Sequence, residues 1–555
     1  MTGSRETPAR GGRRRSHWAW GYEDEILAGA QLRSVAAAMA GVLGVGDAIE
    51  LEEPVRLDQV RLPAPRLSPS AGLADICSQT AHDRARHAHG QSYRDLIRAF
   101  RGQFDHVPDV VARPRGEDDV TALLSWCEAA DAAVIPFGGG TSVTGGVEPD
   151  VGGGFAGTVC LDLTLMSRVL EVDGVSGAAL VEAGASGPAL NRQLASHGRT
   201  LRHFPQSWEF STVGGWIATR AGGHYATGHT RIDDFVESVR AVTPRGPWES
   251  RRLPGSGAGV SPDRMLLGSE GILGVITRAW LRVQRPPAHR ASAAVRFPSF
   301  AAGAAAVREI AGSGLYPAAC RLLDPTEAAL TAGADGSHAL LVLGFESAHH
   351  PVTSWLDLAL RAAAGHGGQW DETRSTDRAG GTDRAGGPGS AGRDAGRAAG
   401  DWRQAFQQMP YLRNVYPAMG VLAETFESAV TWDAFPAFHE RVFGAAQEAA
   451  RRECGRATVM CRLAFAYPDG PAPYYTVVAP ARRGEEVAQW DAIKRAASDA
   501  VLAAGGTITH HHAIGRDHLP WYERQRPEPF GMALRGAKAA VDPRGILNPG
   551  VLLPP

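Results

Sequence analysis

Several features that would assign this 555-residue sequence to a common protein class are absent. No apolar run reaches the roughly 18 residues that a membrane-spanning helix needs. The six cysteines form no C-x-x-C pair, which is typical of reduced thiols in a cytosolic protein. The formal net charge of −2 gives no indication of a nucleic-acid partner. Residues 1–16 are polar and Arg-rich without an apolar core, so we expect a disordered tail and not a secretory signal.

Common nucleotide-binding and hydrolase motifs are also missing. The sequence contains no Walker loop G-x-x-x-x-G-K-[ST] and no G-x-S-x-G elbow. Residues 152–157 match G-x-G-x-x-G, but a Rossmann motif must open a helix. This run leads instead into Thr158–Leu163, whose composition predicts a strand. We therefore interpret residues 152–157 as an ordinary loop.

The length predicts two or three domains. Residues 17–106 are helix-prone, and Ala81–Phe104 has the pattern of a solvated helix packed on the body. Residues 107–286 alternate strand and helix signals and are predicted to form one α+β domain. Residues 287–505 form a further region, and 506–555 are a C-terminal segment. Within the third region, residues 372–400 repeat Thr-Asp-Arg-Ala-Gly-Gly almost without large apolar side chains, which predicts a disordered insertion.

One glycine-rich stretch organises the second region. A strand signal at Val110–Pro114, a helix beginning near Glu117 and a second strand signal at Val134–Phe137 predict a β-α-β unit. The unit ends in Gly138-Gly-Gly-Thr-Ser142. Glycines allow successive backbone N–H groups to form a concave anion-binding nest, and the two hydroxyls add donors. This chemistry suits a pyrophosphate, although a plain glycine-rich turn would have the same composition.

Two further stretches combine glycine with hydroxyl groups. The first is Pro205–Gly223, with Gly214-Gly215 and Gly222-Gly223. The second is Gly268–Ile276, with a glycine every third residue around Glu270. Such spacing does not suit a helix core but allows the backbone to approach a ligand closely.

Three loops of this kind resemble the FAD-binding loops of the vanillyl-alcohol oxidase superfamily of flavoenzymes. Within it, the chain is most similar to the alkyldihydroxyacetonephosphate synthase family, in the strings Trp20–Asp24, Glu209–Trp216, Val242–Gly246, Glu424–Glu427 and His510–His512. The resemblance implies an α+β fold with a PCMH-type FAD-binding domain of two α+β subdomains. It further implies a cap domain at 287–505, with an antiparallel sheet flanked by helices, and a return of residues 506–555 to the flavin.

The cofactor that the resemblance implies is FAD. Residues 136–149, where some relatives attach their flavin, contain no histidine, so non-covalent binding is expected. The implied FAD contacts are Pro136, Phe137, Gly138, Gly139, Gly140, Thr141, Ser142, Gln206, Ser207, Trp208, Glu209, Phe210, Ser211, Thr212, Thr219, Arg220, Ala221, Gly222, Glu270, Gly271, Ile272, Leu273, Gly274, Val275 and Ile276.

The resemblance also assigns substrate and acid/base residues. Arg413 and Arg321 match arginines of the family, and a guanidinium fork suits a phosphate, although a surface arginine would look the same in sequence. Tyr474 falls where the family places its acid/base tyrosine. Its neighbour Tyr475 would take that place if the alignment slipped by one residue, and a tyrosine in a half-buried hairpin is usually part of the core.

The triple histidine of the family matches His510, His511 and His512, which implies catalytic roles. Three adjacent histidines on a strand point alternately to opposite faces, so they would not readily ligate one metal, and no metal site is expected. His510 and His512 would then share a face near the flavin, with at least one histidine of the three merely packed.

The activity that the resemblance implies is ether-lipid synthesis. An adduct at flavin N5 replaces the acyl group of acyl-dihydroxyacetone phosphate, and a fatty alcohol then adds without net redox change. An alternative on the same fold is an FAD-dependent 2-hydroxy-acid dehydrogenase or oxidase, of the D-lactate, glycolate or D-2-hydroxyglutarate type. Those enzymes carry a His-x6-Asn-x-His string where Cys461–Tyr475 of this chain has no histidine. A catalytically inactive FAD-binding scaffold is the remaining alternative.

Partners and location follow from the same reasoning. The expected partners are a small lipid or hydroxy-acid substrate and a second copy of the chain, with peripheral membrane contact as a hypothesis. The Ala/Gly/Arg bias and the lack of a peroxisomal presequence favour a bacterial cytoplasmic protein.

Overall fold

A computed structural model describes residues 13–43, 49–225, 227–371 and 409–554. The predicted insertion at 372–400 lies outside the described residues, as does most of the predicted disordered tail. Arg13–Ser16, however, are ordered, which corrects that prediction for the last four residues of the tail. Arg15 forms a β-bridge with Tyr22, and Ser16 is buried.

The N-terminal region is helical but does not contain one solvated helix. Its helices are α1 (Gly29–Leu43), α2 (Ala81–Arg86) and α3 (Tyr93–Phe100). The prediction of a solvated helix over Ala81–Phe104 is wrong, because the helix is interrupted between the end of α2 at Arg86 and the start of α3 at Tyr93. Each part begins at its own cap, since Thr80 accepts from the Asp83 N–H and Ser92 from the Asp95 N–H. Most of α3 is buried.

The first subdomain is a four-stranded sheet in the order β1-β2-β4-β3. Strands β2, β4 and β3 are parallel, and the short β1 adds antiparallel to β2. Val120, Leu123 and Leu124 on one face of α4 pack with the strands in an apolar core. The elements are β1 (Cys77–Ser78), β2 (Val110–Ala112), α4 (Glu117–Ala129), β3 (Ala132–Phe137) and β4 (Gly157–Asp162).

The second subdomain is a five-stranded antiparallel sheet in the order β5-β6-β9-β7-β8. Helices α5 and α6 share an apolar core with this sheet, in which Trp216 is fully buried. The elements are β5 (Val169–Asp173), β6 (Ala178–Glu182), α5 (Gly187–Ala195), α6 (Val213–Thr219), β7 (Val236–Thr243), β8 (Gly246–Glu249), α7 (Pro262–Leu266) and β9 (Val275–Arg282).

The third sheet is a six-stranded antiparallel sheet in the order β10-β12-β11-β14-β15-β13. Its strands are β10 (His289–Phe297), β11 (Ala319–Leu323), β12 (Ala339–Ser347), β13 (Val421–Glu427), β14 (Thr458–Ala466) and β15 (Pro471–Pro480). The helices around it are α8 (Phe300–Gly312), α9 (Pro325–Ala332), α10 (Thr353–Gly365), α11 (Val415–Met419), α12 (Phe435–Cys454) and α13 (Glu486–Ala503). The expected fold class is confirmed: two α+β subdomains and an antiparallel cap sheet flanked by helices.

The register of the cap sheet places three polar side chains in one transverse row. Arg462 on β14 pairs with Tyr474 on β15, and Tyr474 pairs with Glu427 on β13. Directly paired residues of neighbouring strands point to the same face of a sheet. The cap therefore presents a cation, a phenol and a carboxylate side by side.

The C-terminal segment contains α14 (Leu519–Gln525) and α15 (Glu528–Val541) and then returns to the first subdomain. Leu547 forms a parallel bridge with Val134 of β3, and the Val134 N–H donates to the Ile546 carbonyl at 2.7 Å. In the described part of the chain, every helix is too short or too polar to cross a membrane.

Candidate cofactor and substrate pocket

One large pocket is lined by residues of the first subdomain, the second subdomain, the cap and the C-terminal segment. Its empty space of about 1800 Å³ includes open solvent at its mouth. Residues from separate parts of the chain therefore meet around one open cleft.

Two loops of the pocket wall, the one after β3 and the one before α6, contact each other closely at two glycines. A Cβ on Gly139 would lie 2.0 Å from the Phe210 carbonyl oxygen, and one on Gly138 would lie 2.2 Å from Thr212 Oγ1. Neither contact is tolerable, and at Gly139 the obstacle is backbone that cannot rotate away. The loop after β3 and the loop before α6 thus form a continuous surface without side chains at the junction, as close backbone approach to a ligand requires.

Most of the residues that sequence comparison assigned to the cofactor do line this pocket. From the three glycine-rich stretches these are Pro136, Phe137, Gly138, Gly139, Gly140, Thr141, Ser142, Gln206, Ser207, Ser211, Thr212, Thr219, Ala221, Gly222, Glu270, Gly271, Gly274 and Ile276.

The remaining assigned residues do not line the pocket, so their contact with the cofactor stays a prediction. Ile272 and Leu273 are fully buried in the core of the second subdomain, and Val275 in that of the first. Arg220 has a left-handed backbone (φ 52°) and forms an ion pair with Asp233 at 2.6 Å.

Three residues of the loop before α6 support it from behind. Trp208 packs so closely on Gly187 that a Cβ there would lie 2.2 Å from the indole. Glu209 accepts a 2.7 Å hydrogen bond from the Tyr411 hydroxyl, and Phe210 lies under the guanidinium of Arg15 at 3.5 Å. None of these three residues lines the pocket, and their expected contact with the cofactor stays a prediction.

Glu270 lines the pocket but uses its carboxylate to hold the C-terminal segment. Its two oxygens accept from the N–H groups of Ile514 and Gly515, both at 2.8 Å. Burial raises the pKa of Glu270 to about 7, and this effect outweighs that of the two hydrogen bonds, which lower the pKa. Asn548 donates to the Glu270 carbonyl at 2.7 Å and also lines the pocket. These hydrogen bonds join the glycine-rich stretch around Glu270 to the C-terminal segment.

Three arginines face the pocket. The two expected ones, Arg321 and Arg413, both line it, and Arg462 joins them. Arg321 is 3% exposed and donates to the His224 carbonyl at 2.6 Å. Arg462 is ion-paired with the buried carboxylate of Glu327. Burial is the main cause that lowers the pKa of Arg321, and the positive charge of Arg462 lowers it further. A region with this excess of buried positive charge suits an anionic ligand.

The structure separates the roles of Tyr474 and Tyr475. Tyr474 lines the pocket, with the Arg462 guanidinium 4.0 Å from its ring centroid. Tyr475 points to the opposite face of β15, where it is fully buried, stacks on Phe426 and hydrogen-bonds with His439 at 3.2 Å. Burial raises the pKa of Tyr474, opposed by the charge of Arg462, so its hydroxyl keeps its proton at neutral pH.

The triple histidine does not lie on a strand, which corrects the expected pairing of His510 with His512. The chain bends through residues 510–512, and His511 and His512 line the pocket. Their ring centroids are 4.9 Å apart and lie 6.0 and 5.4 Å from that of Tyr474. His510 is the packed histidine, between the Phe465 ring and the Tyr467 hydroxyl at 2.8 Å. Burial is the main cause that lowers the pKa of all three.

Sequence reasoning missed Glu427, Arg462 and Trp20. The strings Trp20–Asp24 and Glu424–Glu427 were part of the resemblance, but nothing in them indicated a place at the site. In the structure, the carboxylate of Glu427 binds the backbone N–H groups of the histidines. Glu427, His510 and His511 each have one atom able to ligate a metal, and these three atoms lie within 4.8 Å of one another. That spacing could accommodate a metal ion, and the geometric reason for expecting none no longer holds. The expectation of no metal site stays a prediction.

Trp20 brings the N-terminal segment into the pocket wall. The Asn414 side chain fixes its backbone through a 2.9 Å bond from the Trp20 N–H and a 2.8 Å bond to its carbonyl. Asn414 directly follows Arg413. The N-terminal segment is therefore attached to the loop that carries an expected substrate arginine.

The chemistry of the pocket wall fits the expected FAD. Exposed glycine backbone and the hydroxyls of Thr141, Ser142, Ser211 and Thr212 supply neutral donors. The carboxylate in this wall, Glu270, is turned to backbone N–H groups. A phosphate diester needs this combination of donors without facing negative charge.

Comparisons with known proteins agree with this geometry. Residues 108–250 match the family described as FAD binding domain, and residues 286–552 match FAD linked oxidases, C-terminal domain. The chain is 31% identical to alkyldihydroxyacetonephosphate synthase of Trypanosoma brucei brucei over 482 residues, covering 85% of this chain and 78% of the relative.

More distant similarities support the same fold. The chain is 24% identical to a mitochondrial D-lactate dehydrogenase [cytochrome] of Arabidopsis thaliana over 92% of this chain and 84% of the relative. A solved alkyldihydroxyacetonephosphate synthase structure superposes with a TM-score of 0.79 at 23% identity, covering 96% of this chain and 98% of that one.

Proposed function

Because the chain belongs to the alkyldihydroxyacetonephosphate synthase family of FAD-dependent enzymes, we propose that it exchanges the acyl group of acyl-dihydroxyacetone phosphate for a fatty alcohol. The bond between the substrate carbon and the acyl oxygen breaks, and a bond between that carbon and the alcohol oxygen forms. The observation that carries this proposal is the meeting of three arginines, Tyr474 and two histidines in a pocket whose other wall is glycine-rich.

Substrate binding falls to the arginines. Arg321, Arg413 and Arg462 bring positive charge to the pocket, and Arg321 and Arg462 are buried. A dihydroxyacetone phosphate head group carries the opposite charge, and guanidinium groups bind phosphate through paired N–H donors. Holding the phosphate there orients the neighbouring carbon of the substrate.

Proton transfer falls to Tyr474, His511 and His512. Tyr474 is protonated at neutral pH, so its hydroxyl is a donor to an oxygen or a carbon of the substrate. The lowered pKa values of His511 and His512 keep both imidazoles neutral, so either is a base for the alcohol proton. FAD, when bound, supplies a nucleophilic ring nitrogen that allows one difficult substitution to proceed as two easier ones.

The test is product formation by the purified flavoprotein. Acyl-dihydroxyacetone phosphate and hexadecanol are incubated with it under anaerobic conditions, and alkyl ether and free fatty acid are measured by mass spectrometry. We expect both products in equal amounts. If no ether forms and a 2-hydroxy acid bleaches the flavin instead, the reaction is that of the D-lactate dehydrogenase relative.

We also propose that the protein works in the bacterial cytoplasm as a homodimer with peripheral membrane contact. The support is the resemblance to the family and the need to collect long-chain lipid substrates. Light scattering after gel filtration measures the dimer, and cell fractionation measures the location. Sedimentation with anionic vesicles measures the membrane contact, and vesicles that leave the protein in the supernatant at low salt would contradict it.

A further inference from the structure

Glu427 is a buried carboxylate that binds the backbone of all three histidines. It lies at the end of β13 and is 2% exposed. One oxygen accepts from the N–H groups of His511 and His512 at 3.1 and 2.9 Å, and the other accepts from the N–H of His510 at 2.5 Å. The Thr509 hydroxyl donates to the first oxygen at 2.5 Å. Four donors from four consecutive residues thus meet one side chain.

The same carboxylate also faces the rings of the two histidines that line the pocket. Nδ1 of His511 lies 3.5 Å from one oxygen, and Nδ1 of His512 lies 3.8 Å from the other. Both imidazoles line the pocket, whereas Glu427 does not, and Nδ1 of His511 also lies 3.1 Å from Nδ1 of His510. An imidazole that gains a proton in this position gains an ion-pair partner at the same moment.

We propose that Glu427 is the positioning residue of the proton-accepting histidines: it fixes the bend at residues 509–512 and balances the charge that His511 or His512 acquires on taking the proton of the incoming alcohol. This inference rests on the proposed function. The O–H bond of the alcohol breaks as its oxygen bonds to the substrate carbon, and the proton forms an N–H bond on the imidazole. Burial opposes ionisation of this carboxylate, but its pKa is lowered overall, and the four hydrogen bonds that it accepts favour the ionised form, so it stays ionised throughout.

The position of Glu427 in the sheet supports a role at the site. It is the direct neighbour of Tyr474 in the row across β13, β15 and β14. Glu424, three residues earlier on β13, is equally buried but points to the Trp490 indole N–H at 2.5 Å and the Lys494 ammonium at 2.9 Å. The strand thus offers a matched control: a buried, fully bonded carboxylate away from the histidines.

Other charges act on the histidines and are unchanged by a substitution of Glu427. Positively charged groups lower the pKa values of these histidines, and Glu427 is the carboxylate that raises them. The groups are Arg220 and Arg231 near His510, Arg231, Arg321 and Arg462 near His511, and Lys494 and His518 near His512. Arg220, Arg462 and Lys494 keep carboxylate partners of their own when Glu427 is replaced. The substitution removes the carboxylate that raises the pKa values of the histidines, so they accept a proton only at lower pH.

The experiment compares Glu427→Gln, Glu427→Asp and Glu424→Gln with the unaltered holoenzyme. For Glu427→Gln we expect the rate of ether formation to fall about 100-fold, the typical contribution of one acid/base group. The acidic limb of its pH–rate profile moves to lower pH. Glu427→Asp retains the charge and keeps the limb in place. Glu424→Gln lowers the thermal midpoint and moves the limb less than Glu427→Gln does, since it acts on His512 only through Lys494.

A second readout makes the inference independent of turnover. Nuclear magnetic resonance of ¹⁵N-histidine-labelled protein follows the imidazole titrations, and their midpoints fall further in Glu427→Gln than in Glu424→Gln. An unmoved limb and unmoved titrations in Glu427→Gln overturn the proposal. Wild-type protein that forms no ether would instead contradict the proposed function, while the titrations still test Glu427. Stoichiometric tightly bound metal, lost in Glu427→Gln, would replace charge balance with a metal site at Glu427, His510 and His511.

Discussion

Tyr474 and Tyr475 differ in their surroundings because adjacent residues of a strand point to opposite faces. One ring lies in the pocket and the other in the core of the cap. We expect Tyr474→Phe to lower the rate of ether formation about 100-fold or more, because it removes one acid/base group. FAD content should be unchanged, since the ring remains.

Tyr475→Phe is the control for that measurement. It deletes the hydroxyl that meets His439 in the core, so the free energy of unfolding should fall by about 1 kcal/mol while the rate is retained. If the two variants had exchanged effects, the assignment of the acid/base tyrosine to position 474 would be wrong.

His203 gives a prediction for the pH dependence of stability. It is 2% exposed, lies against Trp216 and Phe235, and neither ring nitrogen has a hydrogen-bond partner among the described residues. Burial lowers its pKa to about 3. Below pH 6.5 the unfolded chain binds a proton that the folded chain does not, so His203 costs stability as pH falls.

The variant His203→Leu should remove that cost. Between pH 7.5 and 5, its free energy of unfolding should rise relative to wild type by about 2 kcal/mol. Urea unfolding at the two pH values measures the difference, and the exposed His197→Leu is the control. Measurements on the wild type alone would not reveal the effect of His203, because two carboxyl groups act in the opposite direction. The pKa values of Glu270 and Asp324 are raised to about 7 and 6, so these groups contribute stability that is present at low pH and lost as pH rises.

Among the secondary-structure elements, contact between the glycine loops is the feature most sensitive to a single methyl group. We expect Gly139→Ala to weaken FAD binding at least about 10-fold, because its Cβ would overlap the Phe210 carbonyl and separate the two loops. Fluorescence titration of the apoprotein with FAD measures the dissociation constant. Gly153→Ala is the matched control, since a Cβ there meets nothing within 4 Å. Equal affinities of the two variants would exclude the loop contact as a requirement.

The link between β14 and α9 gives a prediction about stability. Arg462 and Glu327 form an ion pair that is buried on both sides. Arg462→Met leaves a buried carboxylate without its partner and should lower the free energy of unfolding by about 3–5 kcal/mol. The double variant Arg462→Met/Glu327→Gln should recover much of this loss. Urea midpoints measure both, and a loss that the double variant does not reduce would contradict the pairing argument.

Regular elements were predictable wherever a local pattern sufficed. The helix Phe435–Cys454 has an apolar stripe and capping signals, and the glycine loop follows a clear strand signal. The bend at His510–His512 was not predictable, because its cause is Glu427, which lies 83 residues before His510. Three adjacent histidines have no strand or helix preference strong enough to reveal that a distant carboxylate binds their backbone.

At the scale of the whole molecule, the pocket depends on both ends of the described chain. Trp20 comes from the N-terminal segment, while His511, His512 and Asn548 come from the C-terminal one. The domain boundaries inferred from sequence remain predictions. The resemblance implied that residues 506–555 return to the flavin, but nothing in the sequence indicated that Trp20 lines the same pocket. A sequence pattern describes neighbours along the chain, whereas this site is assembled from segments more than 500 residues apart.

The bridge between Val134 and Leu547 has a consequence for synthesis on the ribosome. The first subdomain leaves the ribosome well before residues 546–548, so a nascent chain exposes this edge of β3 until those residues have been made. Because Asn548 also lines the pocket, the cofactor wall is complete only after the same residues have paired with β3.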